Sequence, residues 1–362
     1  MRNTALVLSG GGSKGAFQAG AIKYLLEKGV KFNVIAGTSV GGLNGLIVSQ
    51  NEPEKVPEEL DQWWGKIKNR DVYRSHNFWK RLGKGLSHVF GKNKGFSFLP
   101  TSIYDNFPLR GLIEEYIDLS RIRENVEHFF VSFVSLQTGK VYTKDITTLY
   151  DEKEAVDYIL TSTLIPMAFP PFEYYIYDQE IENVFSDGDK LKVQQYVDGG
   201  VLNKTPLSTV LQYDVGIVYI INNFPRYPNI NPKSLERKYR TLFSVGLRSV
   251  SGLSPNGYFE RDVRDAEKIN NDIRILGELE AKIVNLLEQQ EQKNQIRNLF
   301  ESEKKNFTFI KSRRTGREKK EVKIVGICPD TEIEAFEMEF NPPKSKKLLE
   351  LGYKTAEKIL SE

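Results

Sequence analysis

Ser39 stands in Gly37-Thr38-Ser39-Val40-Gly41, after the apolar run Val34-Ile35-Ala36 and before a stretch with helical spacing. A serine hydroxyl becomes a usable acyl nucleophile when a sharp strand-to-helix turn projects it from the backbone. Small flanking residues let the two arms of such a turn approach. Gly37 and Gly41 supply that room. Chance alone places Gly-x-Ser-x-Gly in roughly one chain in ten of this length. Its weight therefore comes from the strand-helix context and from companion residues.

The first companion is Gly10-Gly11-Gly12-Ser13-Lys14-Gly15, between the strand-like Ala5 to Leu8 and a helical pattern. Glycine-rich turns in that place expose backbone N–H groups that bind an anion, either a phosphate or the oxyanion of acyl transfer. A Walker A loop needs Gly-Lys-Ser/Thr at its end, and Gly15 is followed by Ala16, so that match fails. The dinucleotide pattern fits Gly10, Gly12 and Gly15, yet Gly37-Thr38-Ser39 occupies the place where a ribose-binding carboxylate is needed. An oxyanion hole fits both turns together.

A nucleophilic serine also needs a base, ordinarily histidine. The chain has His76, His88 and His128; two lie in a basic insertion and the third precedes a strand, so none suits a triad. The best-placed carboxylate is Asp198, after Tyr196-Val197 and before Gly199-Gly200. Buried near Ser39, it would take the hydroxyl proton directly. The plainer reading is a turn or capping aspartate, since Asp-Gly is a common turn pair.

Taken in order, Gly10-Gly11-Gly12-Ser13-Lys14-Gly15, Gly37-Thr38-Ser39-Val40-Gly41 and Asp198-Gly199-Gly200 resemble the patatin-like phospholipases. The resemblance extends to Ser162–Phe172, which is similar to the family's Ser-x-x-x-Pro-x-x-Phe-Pro-Pro stretch, and to Ile327-Cys328-Pro329. It covers residues 4–225 well and the remainder loosely. It implies a Ser-Asp dyad of Ser39 and Asp198, with Gly10, Gly11 and Gly12 as the oxyanion hole. It also implies a three-layer fold in which a mixed, mostly parallel sheet lies between helices. Lys14 matches a basic position of the family loop, where it would orient the loop or meet a lipid phosphate; a solvated lysine is the alternative. The departures are a long basic insertion and the charged segment 261–320.

These residues need elements to hold them. Apolar spacing through Phe17, Ile22, Leu25 and Leu26 predicts a helix from Gly15 that stops at Gly29. Phe32 to Ala36 reads as a second strand, and Leu43, Leu46 and Ile47 as the helix after Ser39. Alternating strands and helices imply a parallel α/β core. Residues 51–100 change character, with Trp63, Trp64, Phe78 and Trp79 among Lys66, Lys68, Lys80, Arg81, Lys84, Lys92 and Lys94. They form either a helix pair packing its aromatics on the core or a cap that touches lipid headgroups.

Further along, Phe129 to Val134 is a buried strand, Gly139 a turn, Ala155 to Leu164 a helix, and Phe169-Pro170-Pro171-Phe172 a stiff loop. Val215 to Ile221 is another buried strand, so the motif residues all fall at strand ends. Residues 261–305 read as an amphipathic helix that covers the core or pairs with another subunit. Phe307 to Ile310 and Val322 to Ile327 resemble a hairpin, and Leu348 to Leu360 a final helix. The organisation expected is one patatin-like domain over 1–362, with an insertion at 51–100, a charged helical and hairpin segment at 255–330 and a C-terminal helix at 345–362.

Composition bounds the function. With 362 residues, 40% hydrophobic and 27% charged, the chain is an ordinary globular one. A net charge of +3 gives no argument for nucleic acid. The single Cys328 excludes an internal disulfide, suits a cytoplasmic setting and reads best as a buried apolar residue. No stretch has the roughly 18 uninterrupted apolar residues of a membrane span, which leaves a soluble protein with at most a peripheral membrane contact. The activity expected is hydrolysis of phospholipid or lysophospholipid esters through an acyl-enzyme, with no metal or cofactor required. The alternatives are an acyltransferase using the same site and a non-catalytic membrane-binding scaffold. Oligomeric state is left open.

Overall fold

A computed structural model describes residues 2–75, 102–174, 194–226, 255–286, 290–304, 320–333 and 337–361. The chain opens with β1 (Asn3–Leu8), α1 (Gly15–Glu27), β2 (Val34–Thr38) and α2 (Val40–Gln50). Gly29, at φ 78°, ends α1 as the spacing predicts, with Val30 N–H donating to Leu25 O at 3.1 Å. Then follow α3 (Val56–Lys66), α4 (Asn69–Val72), and the short β3 (Arg74–Ser75) and β4 (Tyr104–Asp105), which pair with each other.

After them come α5 (Phe107–Tyr116), α6 (Leu119–Asn125), β5 (His128–Ser135), β6 (Val141–Asp145), α7 (Glu152–Thr161), β7 (Phe172–Tyr174) and β8 (Gln194–Asp198). The chain continues through α8 (Leu207–Val210), β9 (Val215–Ile221), α9 (Pro255–Leu286), α10 (Gln290–Lys304), β10 (Lys323–Ile327) and α11 (Pro342–Ser361).

Eight strands form one sheet in the order β10-β9-β1-β2-β5-β8-β7, with β6 on the remaining edge of β5. The links from β10 through β5 are parallel, whereas β5–β6, β5–β8 and β7–β8 are antiparallel. Period-two alternation splits the core into two layers. Leu6, Leu8, Ile35, Phe129, Val131 and Phe133 meet the helical side that includes α1, α2 and α3. Ala5, Val7, Val34, Ala36 and Phe130 meet the other side, with α8 and Val263 of α9. A sheet covered on both faces requires strands without a polar face, and Ala5 to Leu8 is fully buried.

One feature of the register positions the site. Thr38 pairs with Ser132, and Asp198 pairs with Phe133. Phe133 also pairs with Tyr142, and Ser132 with Thr143, so β6 holds the opposite edge of β5. β2 and β8 therefore share one edge of β5 and approach each other end to end. Ser39 begins where β2 stops, and Asp198 is where β8 stops.

Trp63 and Trp64 follow the core reading. Trp64 is buried, stacks on Phe340 and donates its Nε1–H to Asn44 Oδ1 at 3.0 Å, while Trp63 packs edge-on to Tyr116. Lys66 and Lys68 are exposed; His76, Phe78, Trp79, Lys80, Arg81, Lys84, His88, Lys92 and Lys94 lie outside the described residues. Val322 to Ile327 pairs in parallel with β9, because the apolar residues of this strand continue the buried sheet. Its expected hairpin partner, Phe307 to Ile310, lies outside the described residues. Along α9, Val263, Ala266 and Val284 are buried, whereas Ile275 and Leu279 are exposed. No described helix is long and apolar enough to cross a membrane.

Candidate active site

The turn at Ser39 is as sharp as its glycines suggest. A Cβ on Gly37 would lie 2.3 Å from the Gly41 carbonyl oxygen, and one on Gly41 would lie 2.3 Å from the Leu8 carbonyl oxygen. Only hydrogen fits either place. Ser39 itself adopts φ 57°, ψ −127°, a sparsely populated conformation that costs a non-glycine residue about 1–3 kcal/mol. The strain is held by a relay: Ser39 N–H donates to Ser162 Oγ at 2.9 Å, and the Ser162 hydroxyl donates to Ser132 O at 2.7 Å. Thr38 Oγ1–H donates to Asn203 O at 2.9 Å, tying the turn to the segment after Asp198.

Asp198 closes β8, and its N–H donates to Leu164 O at 2.9 Å. Its Oδ1 accepts the Gly200 N–H at 2.6 Å, and its carboxyl group lines the same cleft as Ser39. Burial pushes the carboxyl up to about 7, against the Ser39 side chain, the Gly200 hydrogen bond and the Lys204 ammonium, which favour the anion; Glu337 adds to the upward push. Gly199 lets β5 come close, since a Cβ there would meet Ser132 O at 2.4 Å. The turn-aspartate reading thus holds for one oxygen, while the same side chain also lines the cleft of Ser39.

The glycine loop leaves the end of β1. Gly11 and Gly12 take φ 150° and 54°, and a Cβ on Gly12 would strike the Glu337 carbonyl oxygen at 2.0 Å. Gly10 N–H donates to Lys204 O at 2.9 Å and Ser13 N–H to Glu337 O at 2.8 Å. The expected trio of donors is therefore narrowed: the Gly10 amide is already spent. The amides of Gly11 and Gly12 donate to no other group among the described residues. Buried amides hold the loop from behind. Gln18 Nε2 donates to Ser9 O at 2.7 Å, Asn44 Nδ2 to Gly15 O at 2.9 Å, and Asn223 Nδ2 to Gly10 O at 3.2 Å.

Gly10, Gly11, Gly12, Ser39, Asp198 and Gly200 line one cleft, whose remaining wall includes Ile165, Pro166, Val201, Lys204 and Glu337. The solvated reading of Lys14 is overturned. Lys14 is buried, lies 3.8 Å from Glu337 Oε1, and sits 4.4 Å from the centre of the Phe224 ring. Lys204 Nζ lies 3.2 Å from the same ring centre. Two buried ammonium groups thus share the Phe224 ring, and Lys204 lines the cleft. His128 is elsewhere, at the start of β5, with Nδ1 2.6 Å from Asp145 Oδ2. Cys328 is held as a thiol by burial, which pushes it up to about 12.

Ser162 was legible as part of a motif stretch but not as the acceptor for Ser39 N–H. Lys204 and Glu337 carried no signal. Glu337 reaches the cleft only because the segment before α11 returns to the glycine loop.

A strained serine at a strand-helix turn, a buried carboxyl group and two unspent amides thus line one cleft at the end of the sheet. The chain belongs to the patatin-like phospholipase family, whose model matches residues 6–211, more than half its length. Among curated proteins it is similar to the uncharacterized protein L620 of Acanthamoeba polyphaga mimivirus, 21% identical over 266 residues, covering 65% of this chain and 68% of that protein. It is 24% identical over 217 residues to the lysophospholipase NTE1 of Kluyveromyces lactis, covering 60% of this chain but only 12% of that protein. It is 48% identical over 88 residues to a patatin-like phospholipase domain-containing protein of Caenorhabditis elegans, M110.7, covering 24% of this chain and 8% of that protein. Among solved structures, VipD from Legionella pneumophila aligns at 12% identity and a TM-score of 0.39, over 100% of this chain and 67% of that one.

Proposed function

We propose that the protein is a lipid acyl hydrolase that cleaves carboxylic esters of phospholipids or lysophospholipids through Ser39 and Asp198. The placing of Ser39 and the buried Asp198 carboxyl on one cleft, beside the Gly11 and Gly12 amides, carries this reading. Asp198 in its anionic form takes the Ser39 proton as Oγ attacks the acyl carbonyl, and the amides of Gly11 and Gly12 stabilise the resulting oxyanion. Collapse expels the alcohol, which leaves with the proton from Asp198, and forms the acyl-enzyme. Water then attacks that ester, Asp198 taking its proton, and the fatty acid leaves as Ser39 is regenerated.

Several observations support it. The family is that of the patatin-like phospholipases, and the lysophospholipase name of one relative favours a lipid ester. The non-catalytic scaffold reading has no use for a strained Ser39 held by the Ser162 relay. An acyltransferase would share every step but the acceptor, so product analysis with and without an added alcohol separates the two. The direct test is turnover of a lysophospholipid by wild type, Ser39→Ala and Asp198→Asn. Loss of several orders of magnitude in both variants, with folding intact, is expected; full activity in either one sinks the reading. Cytoplasmic residence and peripheral contact with the lipid surface complete the proposal.

A further inference from the structure

Away from the cleft, α1, α3 and α11 enclose a groove of about 800 Å³. That volume lies within the roughly 300–1,000 Å³ of sites built for small ligands. Its floor is Gly20, Gly65, Leu349, the Tyr353 ring and the Pro342-Pro343 pair. Gly20 is there because α1 and α11 touch: a Cβ on it would lie 1.9 Å from Leu349 O. Lys23 is ion-paired with Asp61 on one rim, and the stems of Lys346 and Lys354 cover the α11 side beside Glu350.

The groove continues past Gly65, Pro342 and Pro343 into a second hollow of about 840 Å³, walled by Lys66, Lys68, Arg70, Asn69 and Phe340. Among the described residues no carboxylate lines this second part, although Arg70 Nε lies 3.7 Å from Asp71 Oδ1. An apolar trough thus leads to a mouth lined by Lys66, Lys68 and Arg70, where the cations outnumber the neighbouring carboxylate of Asp71; this is the shape and polarity of a single-chain anionic amphiphile. The mouth is also next to the catalytic loop in the chain: Phe340 lies three residues after Glu337, whose carbonyl holds Ser13 N–H at 2.8 Å.

We propose that this groove is a binding site for a long-chain fatty acid, its chain along Gly20, Leu349 and Tyr353 and its carboxylate among Lys66, Lys68 and Arg70. The site is separate from Ser39 and its occupancy needs no turnover, so the inference goes beyond the hydrolase reading and is tested apart from it.

Gly65 offers the decisive variant. A Cβ at Gly65 meets nothing within 4 Å, and the residue borders both hollows. Gly65→Phe therefore adds a bulky ring where the two hollows join, with no clash at its Cβ. Equilibrium dialysis of labelled palmitate and of hexadecanol against the full chain, its Gly65→Phe variant and its Lys66→Glu/Lys68→Glu variant reads the site directly. Expected are saturable palmitate binding by wild type, weaker hexadecanol binding, and losses of about tenfold or more in both variants at unchanged melting temperature. Palmitate retained in the Cys-free cleft around Ser39 would survive Gly65→Phe, so equal uptake by wild type and that variant overturns the proposal. Equal affinity for palmitate and hexadecanol, or no saturable uptake, also overturns it.

Discussion

Asp198 gives the sharpest prediction, because on the proposed mechanism one buried carboxyl sets both rate and stability. Its burial raises it from 3.8 to about 7, and only the anion can take the Ser39 proton. The kcat/KM of a soluble short-chain ester should therefore rise with pH and level off above about 7. Below that value it should fall about tenfold per unit, or about 100-fold by pH 5. The same group weakens the fold as it ionises. An acid whose folded pKa lies above its unfolded one contributes stability that is fully present below the unfolded value, near 4, and is lost as pH rises through about 7. About three units of difference at about 1.4 kcal/mol each give an upper bound of about 4 kcal/mol. Asp198→Asn cannot ionise and can still accept the Gly200 N–H. The stability of the variant relative to wild type should therefore grow between pH 4 and pH 8, by up to that amount. Urea melts at both pH values, beside a pH-rate profile of wild type, test the two arms. A rate that is flat from pH 5 to pH 8, or a variant-minus-wild-type difference that does not change with pH, refutes the reasoning.

Three further outcomes are expected. Ser39→Gly should remove turnover yet stabilise the fold by about 1 kcal/mol, since glycine accepts φ 57° without strain; a thermal melt decides it. Ser162→Ala strips the acceptor from the buried Ser39 N–H, a loss of about 1–3 kcal/mol that should appear in stability and in kcat more than in KM. Gly352→Ala places a Cβ 1.8 Å from Phe17 O where α11 crosses α1. It should destabilise by about 1–3 kcal/mol with kcat unchanged, and a stable variant would show that the crossing tolerates separation.

Much of the site was legible because its chemistry is local. Gly37-Thr38-Ser39-Val40-Gly41 specifies a tight turn through steric exclusion that acts within five residues, and the apolar runs around it report burial on both sheet faces. The missing parts act across long separations. Lys14 reads as a surface lysine because nothing near it in the chain reveals Glu337 or Phe224. The Gly10 amide reads as available because its partner, Lys204 O, arrives from beyond β8. The parallel pairing of Val322 to Ile327 with β9 is likewise invisible in the sequence, because a short apolar run carries no label for its neighbour.

By itself, then, the sequence determined the α/β alternation, the serine turn, the glycine loop and a carboxylate at a strand end, since each follows from side-chain periodicity or backbone sterics over a few residues. Only the tertiary structure decided that Ser39 and Asp198 meet. β2 and β8 run in opposite directions along the same edge of β5, stopping at Ser132 and Phe133, and that register is fixed by packing and hydrogen bonding between segments far apart in the chain. The environment of the pair was decided there too, because desolvation depends on everything that surrounds a charge rather than on what adjoins it in sequence.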